Sequence, residues 1–427
     1  LLGYSAAGLS AKRLFGDAAA GPEVGAVGLN CGVGPAHMRQ ILEKAGRPVD
    51  KFLLAIPNAG YPTLTRNKLQ FGNTPAYFAE KMKELQALGA DILGGCCGTT
   101  PEFIGELSSW DGILNKIVLD PETDNGEQTG HVQRHGFLYD ENGERKHKKL
   151  IAVELAPPFD ADDEKLLESA HLLKNAGVDV LTFPDSPSGR TRVDSVLMAS
   201  KVRQATGLNV MPHICCRDKN MIAHRSQLLG MQMNGLRHAL IVTGDPIARG
   251  DRESIKSVFN FNSIKLMKYI QTMNQEVFGS RPIYYGGAPN HNNGSIDNIV
   301  ARMCQKMEAG AQWFLTQPVY GPEDIDRLKE LKEKSGGRII AGIMPLVSRK
   351  NALFIKNEMP GIHVPDQVLE RYEAGMSREA YEDVAEAISV DLMKRLEDVC
   401  DGYYMMTTFN RAALIIRIIL QATKELR

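Results

Sequence analysis

Short runs of apolar and β-branched residues recur from about residue 151 to the end of the chain, and a helix-like segment follows each run. In these segments apolar residues recur at spacings of three and four, as in Leu166, Leu167, Ala170 and Leu173, which predicts amphipathic helices. The apolar runs predict eight strands: Ile151–Leu155, Val178–Phe183, Leu208–Ile214, Ala239–Thr243, Pro282–Gly286, Trp313–Thr316, Arg338–Met344 and Tyr403–Met406.

Strands that alternate with helices indicate an α/β protein with a parallel sheet. Eight such units favour a closed (β/α)8 TIM barrel over residues 150–427. Five glycines fall near predicted helix ends, where left-handed C-caps are expected: Gly177, Gly207, Gly235, Gly310 and Gly337. A doubly wound open sheet is the alternative, but no G-x-G-x-x-G motif follows the first strand.

Residues before the predicted barrel contain a shorter α/β pattern. Three strands are predicted, at Val24–Asn30, Phe52–Ile56 and Asp91–Gly94, with helices near Ala36–Ala45 and Pro75–Leu88. Three strands with two helices cannot close a ring, so residues 1–114 are interpreted as the last part of another α/β domain. The polar, glycine-containing stretch 115–149 reads as a linker. The chain begins in mid-pattern and not with Met, so we expect that its true start is missing.

Composition narrows the classes of function. The formal net charge of −1 provides no field that would attract nucleic acid or an anionic membrane. No apolar run reaches the roughly 18 residues that span a bilayer, and no signal peptide is apparent. Seven cysteines in 427 residues do not form a disulfide scaffold, which favours a reducing cytoplasm.

Polar residues stand at the C-terminal ends of five predicted strands, where a barrel of this kind carries its chemistry. They are Glu154, Thr182, His213, Asp245 and Gln317. Each also has a purely structural interpretation. Glu154 could pair with a basic residue, His213 could be a core histidine, and Asp245 could cap the following helix. Gln317 could hydrogen-bond the backbone at the barrel mouth, and Thr182 alone indicates nothing. Their convergence on one rim favours function, and a half-buried carboxyl such as Glu154 would have the raised pKa of a general acid.

The ordered motifs V-E-L-A-P-P, L-T-F, P-H-I, V-T-G-D-P and A-G-A-x-x-F-L-T-Q resemble the methylenetetrahydrofolate reductase family. This resemblance covers essentially all of residues 150–427. It implies noncovalent FAD, NAD(P)H as the electron donor, and reduction of 5,10-methylenetetrahydrofolate to 5-methyltetrahydrofolate.

The resemblance also implies roles for individual residues. Glu154 matches the general acid that protonates the leaving nitrogen when the methylene bridge opens. Asp245 matches a catalytic carboxylate near flavin and pterin, and Gln317 matches the amide that binds the pterin edge. The flavin-binding positions are matched by Thr182, His213, Asp245 and Lys306.

Three cysteines follow two of the early strands in glycine-rich settings, in Gly28-Leu29-Asn30-Cys31-Gly32 and Gly94-Gly95-Cys96-Cys97-Gly98. Three thiolates at strand ends, with one open coordination position, suit catalytic Zn²⁺. Zinc would hold a substrate thiol as a nucleophilic thiolate. The alternative is three buried small hydrophobic side chains.

These cysteine motifs, with Pro57-Asn58-Ala59-Gly60 between them, resemble the zinc-dependent homocysteine S-methyltransferase family. Together, the two halves resemble bifunctional homocysteine methyltransferase–methylenetetrahydrofolate reductase proteins. This implies homocysteine as a substrate of the intact parent. The resemblance implies that residues 1–114 are the C-terminal part of a second, incomplete (β/α)8 barrel. Because the earlier strands of that barrel are absent, we expect metal binding by Cys31, Cys96 and Cys97 but no methyl transfer by this chain.

Two other classes of function remain open at the level of sequence. One is a different barrel enzyme, such as an aldolase or another flavin oxidoreductase. An aldolase is disfavoured because Lys201 and Lys265 fall on predicted helices and not at strand ends. The other is a non-catalytic folate- or metal-binding module. A homo-oligomer is possible.

Overall fold

A computed structural model describes residues 10–48, 50–60, 62–65, 68–108, 149–247, 251, 253–359, 361–407 and 411–425. For residues 62–65, 68–70 and 425 it describes the backbone alone. The chain divides into two compact units, Leu1–Val132 and Gln133–Arg427. Apart from Lys149, the predicted linker 115–149 lies outside the described residues, so its bounds stay a prediction.

The N-terminal unit contains a parallel sheet of three strands in the order β1-β2-β5. Its elements are α1 (Ala11–Ala19), β1 (Ala26–Asn30), α2 (Pro35–Ala45), β2 (Phe52–Ile56), β3 (Pro62–Thr65), β4 (Lys68–Phe71), α3 (Pro75–Ala87), β5 (Ile92–Leu93) and α4 (Pro101–Ser108). The three predicted strands and both predicted helices are confirmed. Helices α1 and α4 and the antiparallel β3–β4 hairpin were not predicted.

A compact apolar core holds this unit together. Leu53 and Ala55 of β2 pack with Met38 of α2 and with Phe78 and Met82 of α3, all of them essentially inaccessible to solvent. β2, the central strand, is apolar throughout its length, as expected in a parallel sheet, but Phe52 at its start is exposed.

The second unit contains eight parallel strands. They are β6 (Leu150–Glu154), β7 (Val180–Phe183), β8 (Asn209–Cys215), β9 (His238–Val242), β10 (Tyr284–Gly286), β11 (Phe314–Pro318), β12 (Ile339–Ile343) and β13 (Gly402–Met406). All eight predicted strands are confirmed, with shifts of a few residues at their ends.

Helices connect these strands in the expected alternation. They are α5 (Glu164–Asn175), α6 (Ser195–Thr206), α7 (Met221–Met233), α8 (Ser263–Met273), α9 (Ile296–Glu308), α10 (Pro322–Ser335), α11 (Arg349–Glu358), α12 (Asp366–Glu370), α13 (Arg378–Arg395) and α14 (Ala412–Glu425), with a 3-10 turn at Pro187–Gly189 and a π-helical turn at Asn274–Phe278. The glycine that caps α10 in the left-handed region is Gly336, so the prediction of Gly337 was wrong by one residue.

The strand order β10-β9-β8-β7-β6-β13-β12-β11 follows the chain around a ring. A parallel bridge between Gly287 and Phe314 joins its two ends, β10 and β11. The amide of Gly287 donates to Trp313 O at 2.9 Å, and Leu315 N donates to Gly287 O at 3.0 Å. The sheet is therefore a TIM barrel and not a doubly wound open sheet.

Large apolar side chains fill the interior of the ring. The buried interior cluster comprises Leu150, Ala152, Val180, Met211, Leu240, Tyr284, Trp313, Leu315, Ile340 and Tyr404, and Val242 and Met406 pack against it. The barrel is therefore a packed core and not a pore, so that ligands can enter only at its ends.

One hydrogen-bonding device recurs at the N-terminal ends of strands in both units. An aspartate directly before a strand accepts from the backbone amide of a neighbouring strand. Asp91 accepts from Leu53 N, Asp179 from Ile151 N and Asp401 from Ile339 N, each at 3.0 Å. These carboxylates satisfy amides that the sheet ladder leaves open at its edge.

Among the described residues, none of the helices combines the length and the apolar character that a membrane span requires.

The aspartate device can be tested on the barrel. We expect Asp179→Ala to lower the free energy of unfolding by about 1–3 kcal/mol, because Ile151 N loses a charged acceptor in a partly buried setting. Urea unfolding followed by circular dichroism measures this difference. The matched control is Asp326→Ala, an exposed aspartate on α10. Equal stability of the two variants would show that the carboxylate contributes nothing.

Candidate functional site

The predicted site residues of the barrel lie at the C-terminal ends of its strands. Glu154 is the last residue of β6, and Thr182 is the second-last residue of β7. His213 lies two residues before the end of β8, and Gln317 is the second-last residue of β11. Asp245 follows β9 by three residues. Because the strands are parallel and the ring is closed, all five belong to the same mouth.

Strand alternation directs three of these side chains into the ring. Glu154, Thr182 and His213 each stand two residues after a member of the interior cluster, and side chains two residues apart share a face. Glu154 and Thr182 are also Cα partners in the ladder between β6 and β7. They form a polar layer on top of the apolar interior.

Glu154 is half-buried and has one polar partner from inside the barrel. The Tyr404 hydroxyl donates a hydrogen bond to Glu154 Oε2. Burial raises the pKa of Glu154, and the Tyr404 hydrogen bond and the positive charge of Arg192 oppose that rise. A raised pKa favours the protonated carboxyl group, which is the form that can donate a proton.

Thr182 and His213 each carry a buried polar atom that makes no hydrogen bond within the described protein, namely Thr182 Oγ1 and His213 Nε2. Burial lowers the pKa of His213 to about 3, so its imidazole is neutral. The backbone of His213 is fixed, because its carbonyl accepts from Ser195 Oγ at 2.7 Å. Buried polar atoms without protein partners are uncommon, and these two suit polar atoms of a bound cofactor.

Asp245 stands in a loop whose backbone is tightly constrained. Gly244 has φ +98°, and a Cβ at this position would lie 2.1 Å from Cys215 Sγ. Asp245 Oδ2 accepts from Ser188 N at 2.7 Å, and its carbonyl accepts from Arg217 Nη1 at 3.0 Å. Asp245 therefore does not cap the following helix, α8, which is capped by Asn262. Its side chain is exposed and can meet a ligand.

Gln317 lies in an irregularity of the β11–β12 ladder. The register shifts between Leu315 and Pro318, and Thr316 Oγ1 accepts from Gly342 N at 2.8 Å in place of a regular ladder bond. Such bulges re-aim side chains and are frequent beside active sites. The Gln317 side chain is half-buried, as a ligand-binding amide at the mouth would be.

Lys306 occupies a different setting from the other predicted residues. It stands in the last turn of α9, and its ammonium donates to Ala288 O at 2.7 Å. Burial lowers the pKa of Lys306 to about 8. The described contacts of Lys306 include none with Glu154, Thr182 or His213 in the polar layer, so its role at a cofactor stays a prediction.

Sequence reasoning missed two residues next to Glu154. Tyr404 belongs to the apolar run of β13, and only the two-residue alternation of that strand marks it as an interior residue. Arg192 stands in the loop after β7, where it donates to Pro157 O at 2.6 Å and its guanidinium lies 3.8 Å from the ring centre of Phe159. No local pattern indicated that Arg192 would approach Glu154.

In the N-terminal unit, the three predicted cysteines come together. The sulfurs of Cys31, Cys96 and Cys97 all lie within 4.8 Å of one another. Cys31 Sγ is 3.5 Å from Cys97 Sγ, and Cys96 Sγ is 3.9 Å from Cys97 Sγ. Tetrahedral zinc with sulfur at about 2.3 Å requires sulfurs about 3.8 Å apart, which this cluster approaches.

The backbone around the cluster is fixed by the end of β2. Cys31 N donates to Ile56 O at 2.9 Å, and Cys96 N donates to Pro57 O at 2.9 Å. Cys31 has φ +65°, a left-handed conformation that non-glycine residues rarely adopt. Cys31 and Cys96 are half-buried and Cys97 is exposed, so the cluster is not three buried hydrophobes but opens to solvent.

The thiols differ in proton affinity. Hydrogen bonds from Cys96 and from the Gly32 backbone lower the pKa of Cys31. The neighbouring Cys31 and Cys96 sulfurs raise the pKa of Cys97 to about 11. One thiol thus ionises first and its negative charge opposes the ionisation of the others, as expected for a cluster that a cation would relieve.

A ring of eight parallel strands with polar side chains at one mouth defines a TIM-barrel protein with a candidate catalytic site. The family model described as Methylenetetrahydrofolate reductase matches residues 140–423, more than half of the chain. The chain therefore belongs to the methylenetetrahydrofolate reductase family. A second model, described as Homocysteine S-methyltransferase, matches residues 6–110, which include all three clustered cysteines.

Curated relatives include two methionine synthases. The chain is 37% identical over 84 residues to that of Mycobacterium tuberculosis (strain ATCC 25618 / H37Rv), which is 19% of this chain and 7% of that protein. It is 38% identical over 88 residues to that of Mycobacterium leprae (strain TN), again 19% and 7%. The matched segment thus spans a small part of the length of these relatives.

Among solved structures, the chain is similar to an uncharacterized protein from Clostridium thermocellum, whose title states that it binds two copies of 5-methyl-5,6,7,8-tetrahydrofolic acid. The match has 17% sequence identity and a TM-score of 0.48, and it covers 65% of this chain and 95% of that one. A likeness at this level supports no conclusion about the function of this chain.

The different proton affinities of the cysteines predict their order of reaction. In chelator-treated protein at pH 7.5 we expect iodoacetamide to modify Cys31 before Cys97, because the thiolate is the reacting form. Mass spectrometry of peptides at successive times measures this order. Cys400, which is buried, serves as the unreactive control in the folded protein. Faster modification of Cys97 would contradict the assignment.

Proposed function

We propose that the barrel reduces 5,10-methylenetetrahydrofolate to 5-methyltetrahydrofolate with electrons from NAD(P)H. The observation that carries the proposal is Glu154, a carboxyl with a raised pKa in the polar layer at the mouth of a barrel of this family. Opening of the methylene bridge requires a proton at the leaving nitrogen, and Glu154 supplies it as a general acid.

The other mouth residues have complementary tasks in this proposal. The carboxylate of Asp245 favours the cation that develops when the bridge opens, since an opposite charge held nearby lowers its energy. The amide of Gln317 both donates to and accepts from the edge of the pterin. The apolar interior below the layer excludes water from beneath the reacting atoms.

FAD fits this mouth, because Thr182 Oγ1 and His213 Nε2 are buried polar atoms without hydrogen-bond partners in the described protein. FAD would supply hydride transfer between NAD(P)H and the folate. Thr182, His213 and Asp245 are the residues that would hold it, with Lys306 as a further candidate. The neutral imidazole of His213 can donate or accept there without adding charge.

The N-terminal unit is proposed to bind Zn²⁺ through Cys31, Cys96 and Cys97. The close approach of the three sulfurs supports this, and so does the match of residues 6–110 to a homocysteine S-methyltransferase model. Zinc would supply a Lewis acid that keeps a substrate thiol ionised at neutral pH. The thiol of homocysteine is the substrate that the family match favours, as part of methyl transfer in a longer parent protein.

The general acid can be tested by Glu154→Gln. We expect folate reduction to fall by about 100-fold or more, because the amide cannot donate an acidic proton. FAD content and NAD(P)H oxidation with an artificial quinone acceptor should stay at the level of the unchanged protein. The visible flavin spectrum and stopped-flow kinetics of the two half-reactions measure these quantities.

Three outcomes of this experiment are informative. Selective loss of folate reduction supports the proposed role of Glu154. Unchanged folate reduction would show that another residue is the acid. A colourless protein that does not take up added FAD would contradict the flavin reductase proposal itself.

Metal binding gives a separate test. We expect purified protein to bind about one zinc ion per chain, and Cys96→Ser to remove most of it, since three protein ligands are typical of catalytic zinc. Elemental analysis after dialysis measures the stoichiometry. Cys304→Ser, which alters a half-buried cysteine on α9 outside the cluster, is the matched control. Equal zinc in the two variants would overturn the assignment.

A further inference from the structure

Tyr404 places a polar group at the boundary between the apolar interior of the barrel and the mouth layer. It is 5% exposed and belongs to the interior cluster, where its neighbours are almost all apolar. In the β13–β6 ladder Tyr404 pairs with Ala152, which lies one inward-facing row below Glu154. Its ring therefore stands under Glu154, and its hydroxyl reaches up to Glu154 Oε2.

The adjacent tyrosine shows that this placement is specific. Tyr403 points to the other face of β13, where its hydroxyl donates to Met393 O at 2.7 Å. Both tyrosines are buried, and the hydroxyl of each donates one hydrogen bond. Only Tyr404 donates its hydrogen bond to a candidate site residue, Glu154.

Resting on the proposed function, we propose that Tyr404 is a positioning residue for the general acid: its hydroxyl holds Glu154 Oε2, so that the acidic proton is carried by Oε1. An oxygen that accepts the phenolic hydrogen bond is the carbonyl oxygen of the neutral carboxyl group. The proton that leaves during bridge opening then comes from Oε1. The Oε1–H bond breaks and a nitrogen–hydrogen bond forms on the substrate. The bond between that nitrogen and the methylene carbon breaks with its electron pair left on the nitrogen, so the negative charge stays on the carboxylate and the positive charge on the opened substrate.

Tyr404 acts as a fixed donor and not as a proton source. Burial and the nearby Glu154 raise the pKa of Tyr404 well above its usual value, so the phenol keeps its proton. Its hydrogen bond favours the carboxylate that remains after proton transfer and lowers the pKa of Glu154. Without it, burial alone would make Glu154 a weaker acid.

The groups that face Glu154 come from three elements of the described barrel. Tyr404 approaches from β13 and Thr182 from β7, and the positive charge of Arg192 acts from the loop after β7. Thr182 does not titrate, and Arg192 stays charged. A change in the titration of Glu154 on removal of the Tyr404 hydroxyl can therefore be assigned to that hydroxyl.

The variant that tests the proposal is Tyr404→Phe, which removes one oxygen and keeps the ring that fills the interior. We expect kcat for folate reduction to fall about tenfold, the usual effect of losing a hydrogen bond to a charged group. The alkaline limb of its pH profile should move to higher pH, because the pKa of Glu154 rises. The rate of NAD(P)H oxidation with a quinone acceptor should change by less than about twofold, which is much less than the change expected in kcat for folate reduction.

A second measurement does not depend on turnover. Infrared difference spectra between the unchanged protein and Glu154→Gln isolate the carboxyl stretch of Glu154, and its loss with rising pH reports the titration of this group. We expect the same band in a Tyr404→Phe background to change frequency, because its hydrogen bond is lost, and to persist to higher pH.

Tyr403→Phe is the matched control, because it removes a buried tyrosine hydroxyl from the outer face of the same strand. We expect it to reduce stability without moving the pH profile or the carboxyl band. An unmoved profile and band in Tyr404→Phe would overturn the positioning role. Absence of folate reduction in the unchanged protein would overturn the proposed function instead, and the infrared comparison would still decide whether Tyr404 controls Glu154.

Discussion

Closure of the parallel ring is the constraint on which the candidate site depends. Strands that all run in one direction must present their carboxyl ends at one opening, and closure through Gly287 and Phe314 leaves no free sheet edge between β10 and β11. Glu154, Thr182, His213 and Gln317 are far apart in sequence and meet only because of this geometry. An open sheet with the same elements would spread them along a line.

The packed interior below the mouth then determines the electrostatics. Interior apolar side chains remove water from one side of Glu154, which raises its pKa, and the same desolvation holds His213 neutral. Tyr404 and Arg192 offset part of the free energy that desolvation adds to the charged form of Glu154. They do not offset the corresponding desolvation of His213. Desolvation therefore disfavours the charged form of both side chains, but only Glu154 has neighbours that favour its charged form.

The sequence predicted most of this arrangement, and the physical reason is periodicity. Buried strands produce apolar runs, and strand ends can be located from the polar residues that follow, which is enough to place Glu154, Thr182, His213 and Gln317 at one mouth. Tyr404 could not be found in this way, because the run Gly402–Met406 is apolar on both faces and hides which face a tyrosine takes. The bulge at Gln317 and the approach of Arg192 depend on tertiary packing, which leaves no local pattern. Three helices, α11, α12 and α13, lie between β12 and β13 where a barrel needs one, and the two additional helices were missed because they do not interrupt the strand–helix alternation.

The two candidate sites use the ends of parallel strands in opposite ways. At the barrel mouth the apolar interior beneath Glu154 raises the pKa of its carboxyl group, which favours proton transfer. At the cysteine cluster the sulfurs are partly open to solvent, and mutual repulsion opposes ionisation of all three thiols, which a bound cation would relieve. The same strand-end geometry therefore supports a proposed acid in one unit and a proposed metal ligand set in the other. The two sites differ in their surroundings. The polar residues at the barrel mouth lie on a filled apolar interior, whereas the cysteines lie in glycine-flanked turns, such as that at Gly98, where a Cβ would collide with Phe71.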